Sequence, residues 1–302
     1  MQIEDVRLFT QASMAGSLSE AARRLGIAPM AASRRLSALE AELGTRLLQR
    51  TTRSLSLTPE GEAFLPYARA MIESADQAVA RLNGRDGLAS GLLRVSLPIT
   101  FARKVVVPAL PALLDQNPDL EIDLQMTDSM PDLVAGGIDV ALRIARLRDS
   151  SLIARKIADS PRAIVAAPAY LDRAGRPRVL ADLAGHEGLL HAGRLHWTFA
   201  TPTGESTVRP RSRLRSSSIE GSHVACLAGG GIAVLAEWNV ADDIAQGRLE
   251  RITLEDARPE LIGIWALYPT AVLLPPKVRI FVDAVQRRFH ETMRNLPAEP
   301  DA

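Results

Sequence analysis

The chain has 302 residues, 47% of them hydrophobic and 24% charged, with a formal net charge of +1. This length predicts two or three globular domains with real cores, and the single cysteine, Cys226, excludes an intramolecular disulfide. No apolar run approaches the ~20 residues that cross a bilayer, and the first residues show no secretory pattern, so we expect a cytoplasmic protein.

Two helices are predicted at the start of the chain. Apolar residues recur at helical spacing over 4–15, and Gly16 ends this first helix. Ser17 and Glu20 then form the S-x-x-E pattern of a capping box. This pattern predicts a second helix over 18–25.

A third helix follows a short turn that contains Gly26. Pro29 suits its first turn, because the N–H that proline lacks would be unpaired there, and the helix is predicted to run to residue 43. Two helices joined by such a turn form a helix-turn-helix unit, whose second helix enters the DNA major groove. The residues expected to face the core of the unit are Leu36, Leu39 and Leu43.

The stretch after Gly44 alternates and is rich in Leu, Thr and Ser, which predicts a two-stranded wing. Residues 21–53 carry seven arginines and only two acidic residues, so this end of the chain is locally basic. We expect the wing arginines to meet phosphates or the minor groove. The residues expected to contact DNA are Arg23, Ala28, Pro29, Met30, Ser33, Arg34, Arg35, Ser37, Arg50, Thr51 and Arg53.

Many positions at fixed spacing in this stretch strongly resemble the DNA-binding domain of LysR-type transcriptional regulators. One departure is Ala28-Pro29-Met30, where the family commonly carries Ser-Gln-Pro and the Gln often contacts DNA. The expected base contacts therefore shift to Ser33, Arg34 and the wing. The matching residues include Ser17, Ala21, Ala22, Leu25, Ser33, Leu36, Leu39, Glu40, Leu43, Gly44, Leu47, Leu57, Thr58 and Gly61.

A long helix is predicted after the wing, with Thr58 as its N-cap and Pro59 as its first residue. Its apolar residues form a heptad seam, which favours a homodimer helix, as the resemblance also implies. The alternative is a helix packed on its own domain. Pro66 is expected to kink or bend the helix. The seam consists of Phe64, Ala68, Met71, Ala75, Ala78 and Leu82.

From residue 91 onward β and α patterns alternate, which predicts a mostly parallel sheet covered on both faces. The first run is expected to have strands at 92–97, 120–126 and 140–144, with helices at 101–115 and 131–135. The second run is expected to have strands at 162–166, 214–216 and 232–235, with a helix at 220–228. A strand at 261–268 and a helix at 277–288 are expected to close the chain.

This half resembles the effector-binding domain of the same family, which is similar to periplasmic solute-binding proteins with two Rossmann-like α/β subdomains. The phrases GGIDVALRIARLRDSSLIARK and AGGGIAVLAEW carry the resemblance. The expected organisation is a winged helix-turn-helix at 1–58, a linker helix and hinge at 59–90, and an effector-binding domain at 91–302. Its subdomain I is expected at about 91–161 and 267–302, and its subdomain II at about 162–266.

In doubly wound sheets, ligands lie beyond the carboxyl ends of strands, beside helix N-termini that attract anions. Polar residues at these places predict a cleft for a small anionic effector, in which Arg143 could pair with a carboxylate. Serine and threonine at such places also serve as plain helix caps. The expected effector contacts are Pro98, Ile99, Thr100, Thr127, Ser129, Arg143, Trp197, Ser217 and Ser218.

The sequence therefore predicts a ligand-responsive transcriptional regulator. An enzyme would need a nucleophile or an acid–base cluster, and a purely architectural DNA-binding protein would not need the α/β half. No metal or cofactor is expected. The expected partners are double-stranded DNA, a small-molecule effector, further copies of the chain in a homodimer or the homotetramer that the resemblance implies, and RNA polymerase, without a membrane.

Overall fold

The computed structural model of the protein describes residues 1–50, 55–82, 88–134, 136–146, 153–193, 195–269 and 274–296. Three helices begin it: α1 (Ile3–Ala15), α2 (Leu18–Arg24) and α3 (Pro29–Leu43). Side chains three or four residues apart on each helix are buried in one shared core, so the predicted helix-turn-helix is confirmed. The core includes Val6, Phe9, Ala12, Ala21, Ala22, Leu36 and Leu39.

Two details of this unit differ from expectation. The Ser17 hydroxyl accepts the Glu20 amide at 3.3 Å, but the Glu20 carboxylate turns to two arginines of its own helix instead of reaching back. The capping box is only half formed, because charged guanidinium donors outcompete a backbone amide for the carboxylate. Leu43 is 37% exposed and is not a core residue, since Gly44 ends the helix there in the left-handed conformation.

The predicted wing is an antiparallel pair, β1 (Leu48–Arg50) and β2 (Leu55–Leu57). One carboxylate oxygen of Glu40 accepts the backbone amides of Leu47 and Leu48 at 2.9 and 3.1 Å. These charge-assisted hydrogen bonds tie the first wing strand to helix α3.

The linker helix α4 (Pro59–Leu82) begins as the sequence predicts, with the Thr58 hydroxyl accepting the Gly61 amide at 3.0 Å. The helix runs unbroken through Pro66, although the proline ring removes one backbone hydrogen bond.

The expected heptad seam on α4 divides into two parts. Ala68 is fully buried in the N-terminal core, and the Phe64 ring lies 5.6 Å from the Phe9 ring, centroid to centroid. The alternative expectation, a helix packed on its own domain, thus holds for the first half of the seam. Further along, Ala78 is exposed and Val79 is 59% exposed.

The second half of the chain contains a five-stranded sheet built from β3 (Gly91–Leu97), β4 (Leu120–Met126), β5 (Val140–Ala145), β6 (Ile153–Ser160) and the late strand Ile262–Tyr268. The spatial order is β4, β3, β5, the late strand and then β6. The whole of the late strand lies in this sheet. The chain therefore re-enters the first subdomain at residue 262, slightly before the expected boundary at about residue 267.

The expected parallel pairing holds for only part of this sheet. Strands β4 and β5 both pair with β3 in parallel, whereas the late strand pairs antiparallel with β5 and with β6. The expected short helix at 131–135 is also wrong for its described residues, where the chain makes turns. The Asp132 carboxylate accepts the Val134 amide at 3.0 Å, and this local bond competes with helix formation.

One helical run, α5, covers 99–116 and packs against the five-stranded sheet. It passes from α-helix (Ile99–Phe101) through a π turn (Ala102–Val106) and a 3₁₀ turn (Val107–Ala109) to α-helix (Leu110–Gln116). Pro108 and Pro111 lack the N–H groups that a uniform α-helix would use, which accounts for the irregular middle.

The remaining strands form smaller sheets. In one of them Arg162–Ala166 lies between Ala233–Ala236 and Glu250–Ile252 and pairs antiparallel with both, so the expected parallel arrangement is wrong here. The other strands are Leu190–His191, Trp197–Thr201, Gly204–Val208, Arg215–Ser216 and Arg258–Pro259.

The later helices are Pro168–Ala174, the 3₁₀ helix Leu180–Gly185, Ile219–Leu227, Glu237–Ala245 and Pro276–Arg294. The last of these buries Val278, Phe281, Val282, Val285 and Phe289 against the five-stranded sheet. In the part of the chain that the structure describes, no helix combines the length and the apolar character needed to span a membrane.

Candidate functional site

The outer face of helix α3 is a candidate nucleic-acid surface. Met30, Ser33, Arg34 and Ser37 follow the spacing i, i+3, i+4, i+7, so they share one face of the helix. Met30 is 80% exposed, Arg34 and Ser37 are exposed, and Ser33 is half-buried. Because the core residues of α3 lie on the opposite face, packing of those residues holds this face outward.

The other expected DNA contacts of the three helices are placed around this face. Ala28 and Pro29 are exposed where α3 begins. The Arg35 guanidinium lies 3.9 Å from the Asp5 carboxylate. Arg23 is exposed and donates to Glu20 at 2.7 Å, and hydrogen bonds from Arg23 and then Arg24 lower the pKa of Glu20 to about 2.

The tip of the wing falls partly outside the described residues. Thr51 and Arg53 lie there, so their expected DNA contacts stay predictions. The backbone of Arg50 ends strand β1 and pairs with Leu55.

The second candidate site is the junction between the start of α5, which packs on the five-stranded sheet, and helix Ile219–Leu227, and it is called the cleft below. Thr100, which is 2% exposed, donates its hydroxyl to the Glu220 carboxylate at 3.1 Å. The Arg103 guanidinium donates to the other oxygen of the same carboxylate at 2.7 Å. Thr100 was expected from the sequence, whereas Arg103 and Glu220 were missed, because nothing in the sequence pattern brings 103 and 220 together.

Arg143 lies deep beside this cleft and is 9% exposed. Its guanidinium donates to the Ser96 hydroxyl at 2.9 Å, the Ser129 carbonyl at 2.8 Å and the Leu142 carbonyl at 2.6 Å. Its Nε is buried without a hydrogen-bond partner among the described residues. Burial lowers the pKa of Arg143, and the nearby Asp128 carboxylate opposes that shift.

The turn after β4 adds further polar groups to the cleft. The Thr127 and Ser129 hydroxyls lie 2.7 Å apart, and Thr127 Oγ1 also accepts the Ser129 amide. One oxygen of Asp128 accepts the Ile99 amide at 3.1 Å, while its Oδ2 is buried with no partner in the described part of the chain. Asp128 therefore joins this turn to the start of α5.

The other residues that were expected to contact the effector differ in their exposure and in their structural roles. Pro98 precedes the first turn of α5, Ser217 is exposed, and Ser218 caps its helix by accepting the Glu220 amide at 3.3 Å. Trp197 is 6% exposed and packs in a core that includes Ile164, Phe199 and Val208. It is therefore a core residue rather than an open ligand contact.

A junction of charged groups connects the linker helix to the five-stranded sheet. Arg69 of α4 lies against Gly137, and its pKa is lowered chiefly by burial, with Asp139 opposing the shift and Arg94 adding to it. Asp139 also accepts the Arg94 amide at 2.8 Å and lies 3.8 Å from the Lys277 ammonium. The linker helix α4 and the five-stranded sheet thus share one charge cluster.

Comparison with known proteins identifies both halves of the chain. Residues 3–62 match the family described as "Bacterial regulatory helix-turn-helix protein, lysR family", and residues 86–290 match the "LysR substrate binding domain". The chain belongs to the LysR family of transcriptional regulators. It is therefore a DNA-binding regulator with an effector-binding domain, and not an enzyme.

Its relatives in the LysR family match over nearly the whole length. The chain is 32% identical to the HTH-type transcriptional regulator DmlR of Escherichia coli (strain K12), covering 98% of this chain and 97% of that protein. It is 36% identical to PtxR of Pseudomonas aeruginosa, covering 96% and 93%. The structure is similar to CrgA from Neisseria meningitidis at 29% identity and a TM-score of 0.60, covering 95% and 98% of the two chains. It is also similar to full-length AphB from Vibrio cholerae at 30% identity and a TM-score of 0.57, covering 94% and 98%.

The single thiol of this LysR-family chain is structural. Cys226 is fully buried, and its Sγ lies 3.4 Å from the Val165 carbonyl oxygen. Burial raises the pKa of the thiol to about 12, so the reactive thiolate is not populated near neutral pH.

Proposed function

We propose that this LysR-family protein binds an inverted-repeat operator as a homodimer, and as a homotetramer in its full assembly, under the control of a small anionic effector. The observation that carries the proposal is the exposed face of Met30, Ser33, Arg34 and Ser37, joined in one chain to a polar cleft around Arg143. Because the operator and RNA polymerase, a further partner in this proposal, are cytoplasmic in bacteria, we place the protein there too.

The outer half of α4 supports the dimer. Ala78 and Val79 are exposed there, beyond the region in which α4 packs on the helix-turn-helix domain of its own chain, which is called the DNA-binding head below. A partner helix would cover these side chains, and the small alanine would allow close approach. Two heads held by such a dimer would meet two half-sites related by its symmetry.

Buried donors in the cleft support an anionic effector. The Arg143 Nε has no partner among the described residues, and Thr100 and Arg103 already hold one carboxylate. A guanidinium donor left unpaired in a buried site favours a carboxylate or similar acceptor, since a charge-assisted hydrogen bond would satisfy it.

The proposal is tested by selecting genomic DNA with the purified protein and footprinting the recovered sites. A shared inverted repeat would support the operator and give the half-site spacing. Recovery of DNA with no shared sequence and no defined footprint would contradict the proposal and favour an architectural DNA-binding role.

Removing the Arg34 charge should weaken operator binding. We expect Arg34→Ala to raise Kd about tenfold and to reduce the steepness of its salt dependence by about one charge, because a lost phosphate or base contact releases fewer counterions. Titration of a labelled operator at several salt concentrations measures both effects. The matched control is Arg279→Ala, which removes an equally charged, exposed side chain from the last helix. Equal affinity and salt slope for both variants would reject the role of Arg34.

The cleft is tested with candidate effectors, taken as small carboxylic acids suggested by the genes next to the recovered sites. Calorimetry should show at least tenfold weaker binding for Thr100→Ala and for Arg143→Ala, since each loses a donor to the ligand. Retention of full affinity in both variants would remove these two residues from the effector site.

A further inference from the structure

The cleft already holds a carboxylate that belongs to the protein. Glu220 is the second residue of helix Ile219–Leu227, and its two oxygens accept from Thr100 at 3.1 Å and from Arg103 at 2.7 Å. A hydroxyl and a guanidinium arranged around one carboxylate form an anion cradle, which we define as Thr100 and Arg103. An anionic effector would therefore find the anion cradle already occupied by the Glu220 carboxylate.

The contact also joins two parts of the fold. Thr100 and Arg103 lie in α5, which packs on the five-stranded sheet, whereas the Glu220 helix packs on strand Ala233–Ala236 of another sheet. A second bond crosses nearby, where the Lys104 ammonium donates to the Asn239 carbonyl. Release of Glu220 would remove one of the polar links between the two parts.

The groups next to the cradle are incompletely satisfied. Asp128 holds the amide of Ile99, the residue before Thr100, through one oxygen, and its other oxygen is buried without a partner among the described residues. Arg143 is 9% exposed, and its Nε is likewise buried without a hydrogen-bond partner among the described residues. Buried polar atoms are normally hydrogen-bonded, so an unpaired donor and an unpaired acceptor on two residues that interact electrostatically indicate a polar ligand. These atoms lie beside the cradle that Glu220 fills.

Glu220 is only partly shielded, which allows it to be displaced. Its side chain is 33% exposed and that of Arg103 is 55% exposed, so water screens the ion pair and limits its strength. A ligand that satisfies the buried Arg143 and Asp128 atoms as well as the cradle would gain more than Glu220 alone can.

We propose that Glu220 is an internal competitor that occupies the anion cradle in the ligand-free protein, and that an effector must displace it to bind. The proposal rests on the proposed function of the cleft as the effector site. It assigns the effector class as a small carboxylic acid that also carries a hydrogen-bond acceptor and a hydrogen-bond donor. The carboxylate enters the cradle, the acceptor pairs with the Arg143 Nε, and the donor pairs with Asp128. Glu220 thereby sets the threshold concentration for the response and selects against weakly held monovalent anions.

The test uses the whole protein and needs no knowledge of the natural effector. Acetate and sulfate are titrated as probes at constant ionic strength, and thermal unfolding is followed for the parent protein and for Glu220→Gln. The variant keeps the shape of the side chain and removes its charge. We expect the anion concentration for half-maximal stabilisation to fall at least tenfold in Glu220→Gln, because the internal competitor is gone.

Two further variants make the result specific. Glu205→Gln is the matched control, since Glu205 is 57% exposed in its side chain and pairs with Arg146 at the same 2.7 Å. It should titrate like the parent. Adding Arg103→Met to Glu220→Gln should abolish the gain, because the cradle loses its cation. The far-UV circular dichroism of each variant is compared with that of the parent to show that it is folded.

The outcomes separate this proposal from the one on which it rests. Identical anion titrations for the parent and Glu220→Gln would overturn the role of Glu220, and so would a gain that survives Arg103→Met. In either case a sequence-specific operator and an effector found by calorimetry would still stand. Failure of DNA selection would instead contradict the proposed function, whatever the anion titrations show.

Discussion

Replacing Gly61 by alanine is expected to destabilise the DNA-binding head by about 3 kcal/mol, the upper range for overpacking in a tight core. Gly61 is buried in the first turns of α4, where an added Cβ would lie 3.0 Å from the Leu47 carbonyl carbon and closer still to its oxygen. The Leu47 oxygen cannot easily move, because it accepts the Thr58 amide at 3.0 Å.

The sign of the Gly61 effect is diagnostic. In an unconstrained helix, glycine to alanine stabilises by about 1 kcal/mol, so helix propensity alone predicts the opposite result. Urea unfolding of Gly61→Ala, with Glu62→Ala at the exposed neighbouring position as the control, measures the difference. Operator binding should weaken together with stability, because the wing depends on the same contact. A Gly61→Ala protein as stable as the parent would show that α4 and the wing do not pack this closely.

Removal of the Asp139 charge is the second large effect that we expect. Asp139 is 15% exposed in its side chain and faces Arg69, Lys277 and the backbone amide of Arg94. Asp139→Asn keeps an acceptor for the Arg94 amide but leaves the cations without their shared anion. Breaking a buried ion cluster is costly, and after allowance for the partial exposure we expect a loss of about 2 kcal/mol.

The measurement is urea unfolding combined with hydrogen exchange of the amides of α4. Exchange in α4 should accelerate more than exchange in the N-terminal core, since the linker helix loses its tie to the sheet. The control is Asp123→Asn, which removes an exposed carboxylate lying 3.7 Å from Arg94. An unfolding midpoint equal to that of the control would mean that the Arg69–Asp139 junction contributes nothing to stability.

Local patterns were sufficient for the N-terminal half of the protein. The Ser17 cap, the left-handed Gly16 and Gly44, and Pro29 at the start of α3 all act within a few residues, so their effects can be predicted from neighbours in the sequence. The spacing of apolar residues likewise separated the buried face of α3 from its exposed face. The exposure of Leu43 does not follow from the sequence, because apolar periodicity does not show where a helix leaves the core.

Strand directions in the second half could not be predicted in the same way. Alternating β and α patterns favour parallel pairing, which is what β3, β4 and β5 show. The strand Ile262–Tyr268 follows β6 in the chain only after the smaller sheets and their helices. It inserts between β5 and β6 and pairs antiparallel with both. Its pairing partners are far away in sequence, and hydrophobic alternation is the same for either direction.

The sequence by itself determined the helix-turn-helix, the wing, the linker helix and the α/β character of the second half, because each depends on short-range capping and periodicity. Only the tertiary structure decided that Glu220 fills the cradle of Thr100 and Arg103, that the Asp139 carboxylate interacts electrostatically with Arg69, and that the first half of the α4 seam packs on its own domain. These are contacts between residues far apart in the chain. Their energy comes from pairing charges and burying surface, and no local pattern records which distant groups will meet.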